Sequence, residues 1–150
     1  MKMVHPSDSS VQREIEKQVV SKLEIEYNCK FSKKRENSKF EFDFLNEEKK
    51  IIGEIYAGID KLSPAQKKKV ITDCFKLIAA EKKFDEKWNK YIVFIDEKIK
   101  AAFEGNSWIS EAIQEFSIKL KIIDLSPEDE SKLREAKKRQ QLGNQIKSVK

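Results

Sequence analysis

Two acids stand inside neighbouring apolar runs. Asp43 interrupts Phe40-Glu41-Phe42-Asp43-Phe44, and Glu54 interrupts Ile51-Ile52-Gly53-Glu54-Ile55-Tyr56. Runs of this composition favour strands, and a carboxylate buried in a strand is costly unless something compensates it. Asn46-Glu47-Glu48-Lys49 forms a short polar turn between them, so the two runs predict an antiparallel hairpin. Residue alternation can then bring both carboxylates to one face. Adjacent carboxylates repel, so positive charge must come from somewhere. A divalent cation supplies it economically: Mg²⁺ (or Mn²⁺) suits hard oxygen ligands and leaves room for substrate phosphate. The competing reading is a hairpin face open to water, which Glu41, Glu47 and Glu48 would suit.

Further candidates lie on the segments either side of the hairpin. Ahead of it, Val11, Ile15, Val19, Val20 and Leu23 have helical spacing and predict a helix over 10–25, with Ser9 and Gln12 as a capping box. Glu16, or Glu14, is the acid that this helix could present. After the hairpin, Ser63-Pro64 opens a helix whose apolar stripe is Val70, Ile71, Cys74, Leu77 and Ile78. Gln66, Lys69, Asp73 and Lys76 share one face beside that stripe. Lys69 and Asp73 also have the spacing of an ordinary exposed ion pair.

The elements that must hold these residues follow in order. Residues 26–31 predict a first edge strand, and 32–39 a basic connection that is either a solvated hairpin loop or a phosphate contact. Phe40, Phe42 and Phe44 are expected on one face of the next strand, with Glu41, Asp43 and Leu45 on the other. Tyr91-Ile92-Val93-Phe94-Ile95 is a strand buried on both faces. Asp96 caps a short helix ended by Gly105, and residues 107–116 form an amphipathic one. Residues 118–125 give a last strand, and Ser126-Pro127 starts a charged helix whose thin apolar content predicts poor packing. The pattern predicts an α/β fold: a central mixed β-sheet flanked by helices. The domain is expected over 1–125, with residues 1–9 frayed and 126–150 a charged helical extension.

Composition narrows the field further. The chain has 150 residues, enough for one domain with a sizeable core. Its net charge of +5 favours a polyanionic partner. Cys29 and Cys74 have no metal-ligand spacing and form no disulfide framework, so a reduced, cytoplasmic protein is expected. No apolar run approaches ~18 residues, so no membrane partner is expected. Walker-type glycine loops and the G-x-S-x-G elbow are absent from the sequence. A histidine triad would have to use His5, the single histidine. Trp88 and Trp108 are expected in the core or at its edge.

The stretch EFDFLNEEKKIIGEIYAG resembles the core of the PD-(D/E)XK nuclease-like (restriction endonuclease-like) superfamily, over about residues 10–96. That pattern has an acid on one strand and Glu-x-Lys on the next, preceded by a helix carrying another glutamate. Asp43 and Glu54 match the two strand acids, and Glu16 the helical one. The resemblance implies an α-β-β-β-α-β core and metal-assisted phosphodiester hydrolysis. Asp43, Glu54, the Ile55 carbonyl and Glu16 would hold Mg²⁺ or Mn²⁺. The motif lysine is replaced by Tyr56, and its charge would have to come from Lys61 or Lys69, with Gln66 facing the acids. The implied partner is nucleic acid, DNA before RNA, contacted also by Arg134, Lys137, Lys138 and Arg139. A homodimer is compatible, because two cuts need two sites. Tyr56 also admits a second reading, a nuclease fold without catalysis that binds nucleic acid or protein. A third is a small regulatory α/β protein.

Overall fold

The computed structural model describes residues 8–148. Ten elements follow one another: α1 (Asp8–Tyr27), β1 (Ser32–Lys34), β2 (Glu41–Asn46), β3 (Ile51–Tyr56), α2 (Pro64–Phe84), β4 (Asn89–Phe94), α3 (Glu97–Ala101), α4 (Trp108–Glu115), β5 (Ile118–Ile122) and α5 (Pro127–Ser148). The five strands form one sheet in sequence order. β1, β2 and β3 pair antiparallel, and β3, β4 and β5 pair parallel. This is the expected α/β mixed sheet, and its first six elements run α-β-β-β-α-β.

Both sheet faces are covered. On one, Ile52, Ile92 and Phe94 pack against Val70 and Leu77 of α2 and Ile113 of α4. On the other, Ile51, Ile55 and Val93 pack against Ile15, Val19 and Leu23 of α1 and Leu133 of α5. Burial on both faces explains why every residue of β3 is buried and why Tyr91 to Phe94 of β4 are all apolar. Ser63 caps α2 in a reciprocal box with Gln66, and Pro64 occupies its first turn.

Several expectations change. α1 begins at Asp8, before the serine expected to cap it, and runs on to Tyr27, where Asn28 (φ 51°) turns the chain. The longer helix displaces the edge strand, so β1 falls within the basic connection rather than at 26–31. The fraying expected of 1–9 lies outside the described residues over 1–7, as does His5. The first half of α5 packs on the body: Leu133 and Ala136 are buried, and Arg134 donates to both Asp60 carboxylate oxygens at 2.9 and 2.7 Å. Trp88 is core, but Trp108 is 72% exposed.

The change that matters most for the site is in β2. Ser32 pairs with Leu45 but Lys34 with Glu41, so β2 uses more residues than β1 over the same span. That is a bulge, and it reverses the alternation. Phe40, Phe42 and Leu45 therefore belong to the α2 side of the core, whereas Phe44 crosses to the α1 side. Phe44 lies opposite Gly53, where a Cβ would stand 2.1 Å from the ring. Only glycine leaves room for that crossing. Asp43 sits within the bulge.

Candidate active site

The bulge turns the Asp43 carboxylate across the hairpin. Its Oδ2 accepts the Ile55 amide N–H at 2.7 Å, just beyond the last regular ladder pair, Phe44 with Gly53. The Glu54 carboxyl is 4% exposed and lies beside Asp43, close enough for the two to influence each other's charge. Burial, then the neighbouring Asp43 carboxylate, push the Glu54 pKa up to about 8. Lys76 of α2 pulls the other way: its Nζ lies in ion-pair contact with Glu54 Oε1, though without hydrogen-bond alignment. The two hairpin acids therefore converge, with a lysine beside them.

Glu16 faces the same place from α1. Its carboxyl is held above the ordinary range by burial and then by the Asp43 charge, with Lys69, Lys33 and Arg13 opposing. Glu14, the competing assignment, is exposed and lies 3.8 Å from Lys132 of α5. Glu16, Asp43 and Ile55 line a recess of about 380 Å³ with Arg13, Lys17 and Lys33. Cationic side chains thus surround the mouth on the α1 side.

On the α2 side, Lys69 donates to Asp73 Oδ2 at 3.3 Å. The ion pair that the spacing suggests does form, but only Lys69 is exposed and Asp73 is buried. Burial raises the Asp73 pKa, against the charges of Lys69 and Lys76. Partial burial of Lys69 would lower its pKa, but Asp73, Asp43 and Glu54 outweigh that and raise it. Lys69 therefore keeps its charge beside the acids.

The remaining candidates separate from this centre. Lys61 is exposed in the loop after β3 and, among the described residues, forms no ion pair with either acid. The Gln66 carbonyl oxygen accepts the Ser63 amide at 2.9 Å, as a capping group. Tyr56 is buried, and burial pushes its pKa up to about 12. It stays neutral near pH 7 and supplies neither base nor cation. Its hydroxyl has no protein partner, an arrangement that costs ~1–3 kcal/mol. Arg35 of the basic connection is bound internally, at 2.6 and 3.2 Å from Glu47 and 4.5 Å above the Phe84 ring. Arg134 and Lys137 are likewise engaged with Asp60.

No protein-family model, curated protein or solved structure matches the chain.

The geometry must therefore carry the reading. Asp43 and Glu54 offer hard oxygen donors suited to Mg²⁺ or Mn²⁺. Ile55 directs its N–H at Asp43, and the N–H and C=O of one strand residue leave on the same side, so the Ile55 carbonyl shares that edge. Among the described residues, no three His, Cys, Asp or Glu side chains form a ready-made cluster. A cation here would take two carboxylates and a carbonyl. Lys76 and Asp73 are the participants that spacing alone left unassigned. Their signal was present, on one helical face with Gln66 and Lys69.

Proposed function

We propose that this chain is a divalent-metal-dependent phosphodiesterase acting on nucleic acid, a nuclease of the PD-(D/E)XK type. The observation that supports this most is the approach of buried Glu54 to Asp43, which itself lines a cation-rich recess. Asp43, Glu54 and the Ile55 carbonyl would hold the Mg²⁺ or Mn²⁺. When bound, the metal would acidify an attacking water and offset charge on the scissile phosphate. The chain's own residues do the rest. The Ile55 N–H fixes the Asp43 carboxylate at the recess. Lys76 favours the ionised form of Glu54, which a metal ligand requires. Lys69, paired with Asp73 and within the electrostatic reach of both acids, would offset phosphate charge as it develops. Together they take over the task that Tyr56, in the motif-lysine position, does not perform. Glu16, across the recess from Asp43, would orient the water.

Arg13, Lys17 and Lys33 would contact the phosphate backbone, giving affinity without sequence choice. DNA is the first substrate to test and RNA the second. Free Cys29 and Cys74 suit a cytoplasmic setting, and a homodimer would provide two cuts. No described helix is long and apolar enough to cross a membrane.

A second reading has one observation in its favour. Lys76 already neutralises Glu54, so the fold could bind nucleic acid without cutting it. The test is cleavage of labelled single- and double-stranded DNA and RNA in Mg²⁺, Mn²⁺ or EDTA. Metal-dependent cleavage that is abolished in Asp43→Ala and weakened in Lys76→Met supports the nuclease. Salt-dependent binding without cleavage in either metal supports the second reading. If neither occurs, both readings fail.

A further inference from the structure

A second cavity, of about 330 Å³, shares no lining residue with the recess at Asp43. It lies where the end of β3 and its following loop meet α2 and α5. Tyr56 and Gln66 line this cavity, together with Lys69. Gln12, Lys137 and Gln140 complete its polar wall.

Its chemistry is one-sided. The chain has 26 acidic residues among 150, yet none of the residues lining this cavity is acidic. Two lysines and three glutamines face one space. Lys69 stays charged under the influence of Asp73, Asp43 and Glu54. Lys137 is held in place by the Ile59 carbonyl, 2.5 Å from its Nζ, with the Asp60 carboxylate 3.9 Å away. Ala57, Ile59, Leu133 and Ala136 add apolar surface. Cations and amides beside an apolar wall suit a ligand with an anionic end and a flat, hydrogen-bonding body. The volume is at the lower end of the ~300–1,000 Å³ usual for small-ligand sites.

The floor carries the second observation. Tyr56 is 5% exposed, and its hydroxyl has no partner among protein groups. It lies over Gly58, where a Cβ would stand 2.4 Å from the hydroxyl oxygen. Gly58 thus leaves room for the ring, and the ring delivers a donor that the fold itself leaves unsatisfied. Tyr56 lines the acid-free cavity, and its buried, unpartnered hydroxyl suits an acceptor that a bound ligand would bring.

We infer that this cavity binds a nucleotide bearing a phosphomonoester. In the setting of the nuclease reading, on which this identity rests, that nucleotide is the phosphorylated end of the strand whose scissile phosphate lies at Asp43 and Glu54. Lys69 and Lys137 take the phosphate. The glutamines and the apolar wall of α5 take the nucleoside. Leu133, Ala136, Lys137 and Gln140 of α5 wall the cavity, so a strand entering it would terminate there.

The test is equilibrium binding of short fluorescent oligonucleotides carrying a 5′-phosphate, a 3′-phosphate or only hydroxyl ends. All measurements are made in EDTA, so their outcome is independent of whether the chain cuts. One phosphorylated end is expected to bind about tenfold or more tightly than the hydroxyl ends, the size of one charge-assisted hydrogen bond. Tyr56→Phe and Lys69→Ala are each expected to erase most of that preference. Tyr56→Phe should leave the melting temperature unchanged or higher, which separates lost binding from lost folding. Competition by deoxyadenosine monophosphate and by inorganic phosphate identifies the source. Tighter binding of the oligonucleotide assigns the cavity to strand ends, and equal binding assigns it to free nucleotides. Phosphorylated and hydroxyl ends binding within twofold of each other, with both variants unaltered, would overturn the assignment. Failure of metal-dependent cleavage alongside a retained end preference would overturn the nuclease reading and leave the nucleotide site standing.

Discussion

Replacing Glu54 with glutamine should make the metal-free protein more stable at alkaline pH. Glu54 is buried against Asp43, and its pKa is pushed up to about 8 from 4.5. A carboxyl whose folded pKa lies above its unfolded one contributes stability that is complete below the unfolded value. That contribution is lost as pH rises through the folded value. The window therefore runs from 4.5 to about 8. At ~1.36 kcal/mol per pH unit, the gap sets an upper limit of ~5 kcal/mol on the loss. Glu54→Gln cannot ionise and escapes it. The variant gives up the contact with Lys76, a side chain 32% exposed that can turn to water, so part of the gain is offset. The expected net gain is ~2–3 kcal/mol at pH 8.5, shrinking towards pH 5. Urea unfolding in EDTA at half-unit pH steps measures both proteins. Glu16 and Asp73, also raised, titrate in each and drop out of the difference. Parallel curves from pH 5 to 8.5, or a variant less stable at pH 8.5, would refute the buried acid pair.

Two further predictions concern the frame that holds the acids. Gly53→Ala should cost ~2–3 kcal/mol in urea unfolding, because its Cβ meets the fully buried Phe44 ring. A neutral result would mean that the ring does not cross β3 there. Leu133→Ala should cost ~2–3 kcal/mol in the same assay, since α5 is part of the core. A loss below ~0.5 kcal/mol would match a helix standing off the body.

The hairpin was legible because its signals are local. Two apolar runs, a polar turn and one acid in each fix the pairing of β2 with β3. The helix start at Ser63-Pro64 is local too, and it forms as its residues require. The bulge was not legible. Alternation in Phe40 to Leu45 is regular on paper, and the reversal at Phe44 depends on β1 pairing and on the space over Gly53. The lysine beside Glu54 was hidden for another reason. Lys69 and Lys76 lie two helical turns apart on one face, about 10 Å along the axis. Sequence gives the face but not the height, and height decides that Lys76 reaches Glu54 while Lys69 pairs with Asp73. The packing of α5 rests on two buried side chains, Leu133 and Ala136, and on an Asp60–Arg134 contact between residues 74 positions apart. Neither is a periodic signal.

The claim on which most depends is that Asp43 and Glu54 together make a cation site. Mn²⁺ binding, followed by the electron paramagnetic resonance of free Mn²⁺ at pH 8, tests it directly in the wild-type protein and in Asp43→Asn. Saturable binding in the wild type, weakened at least ~10-fold by the substitution, is the predicted result. Equal binding in both proteins, or no saturable binding in the wild type at millimolar Mn²⁺, would contradict it.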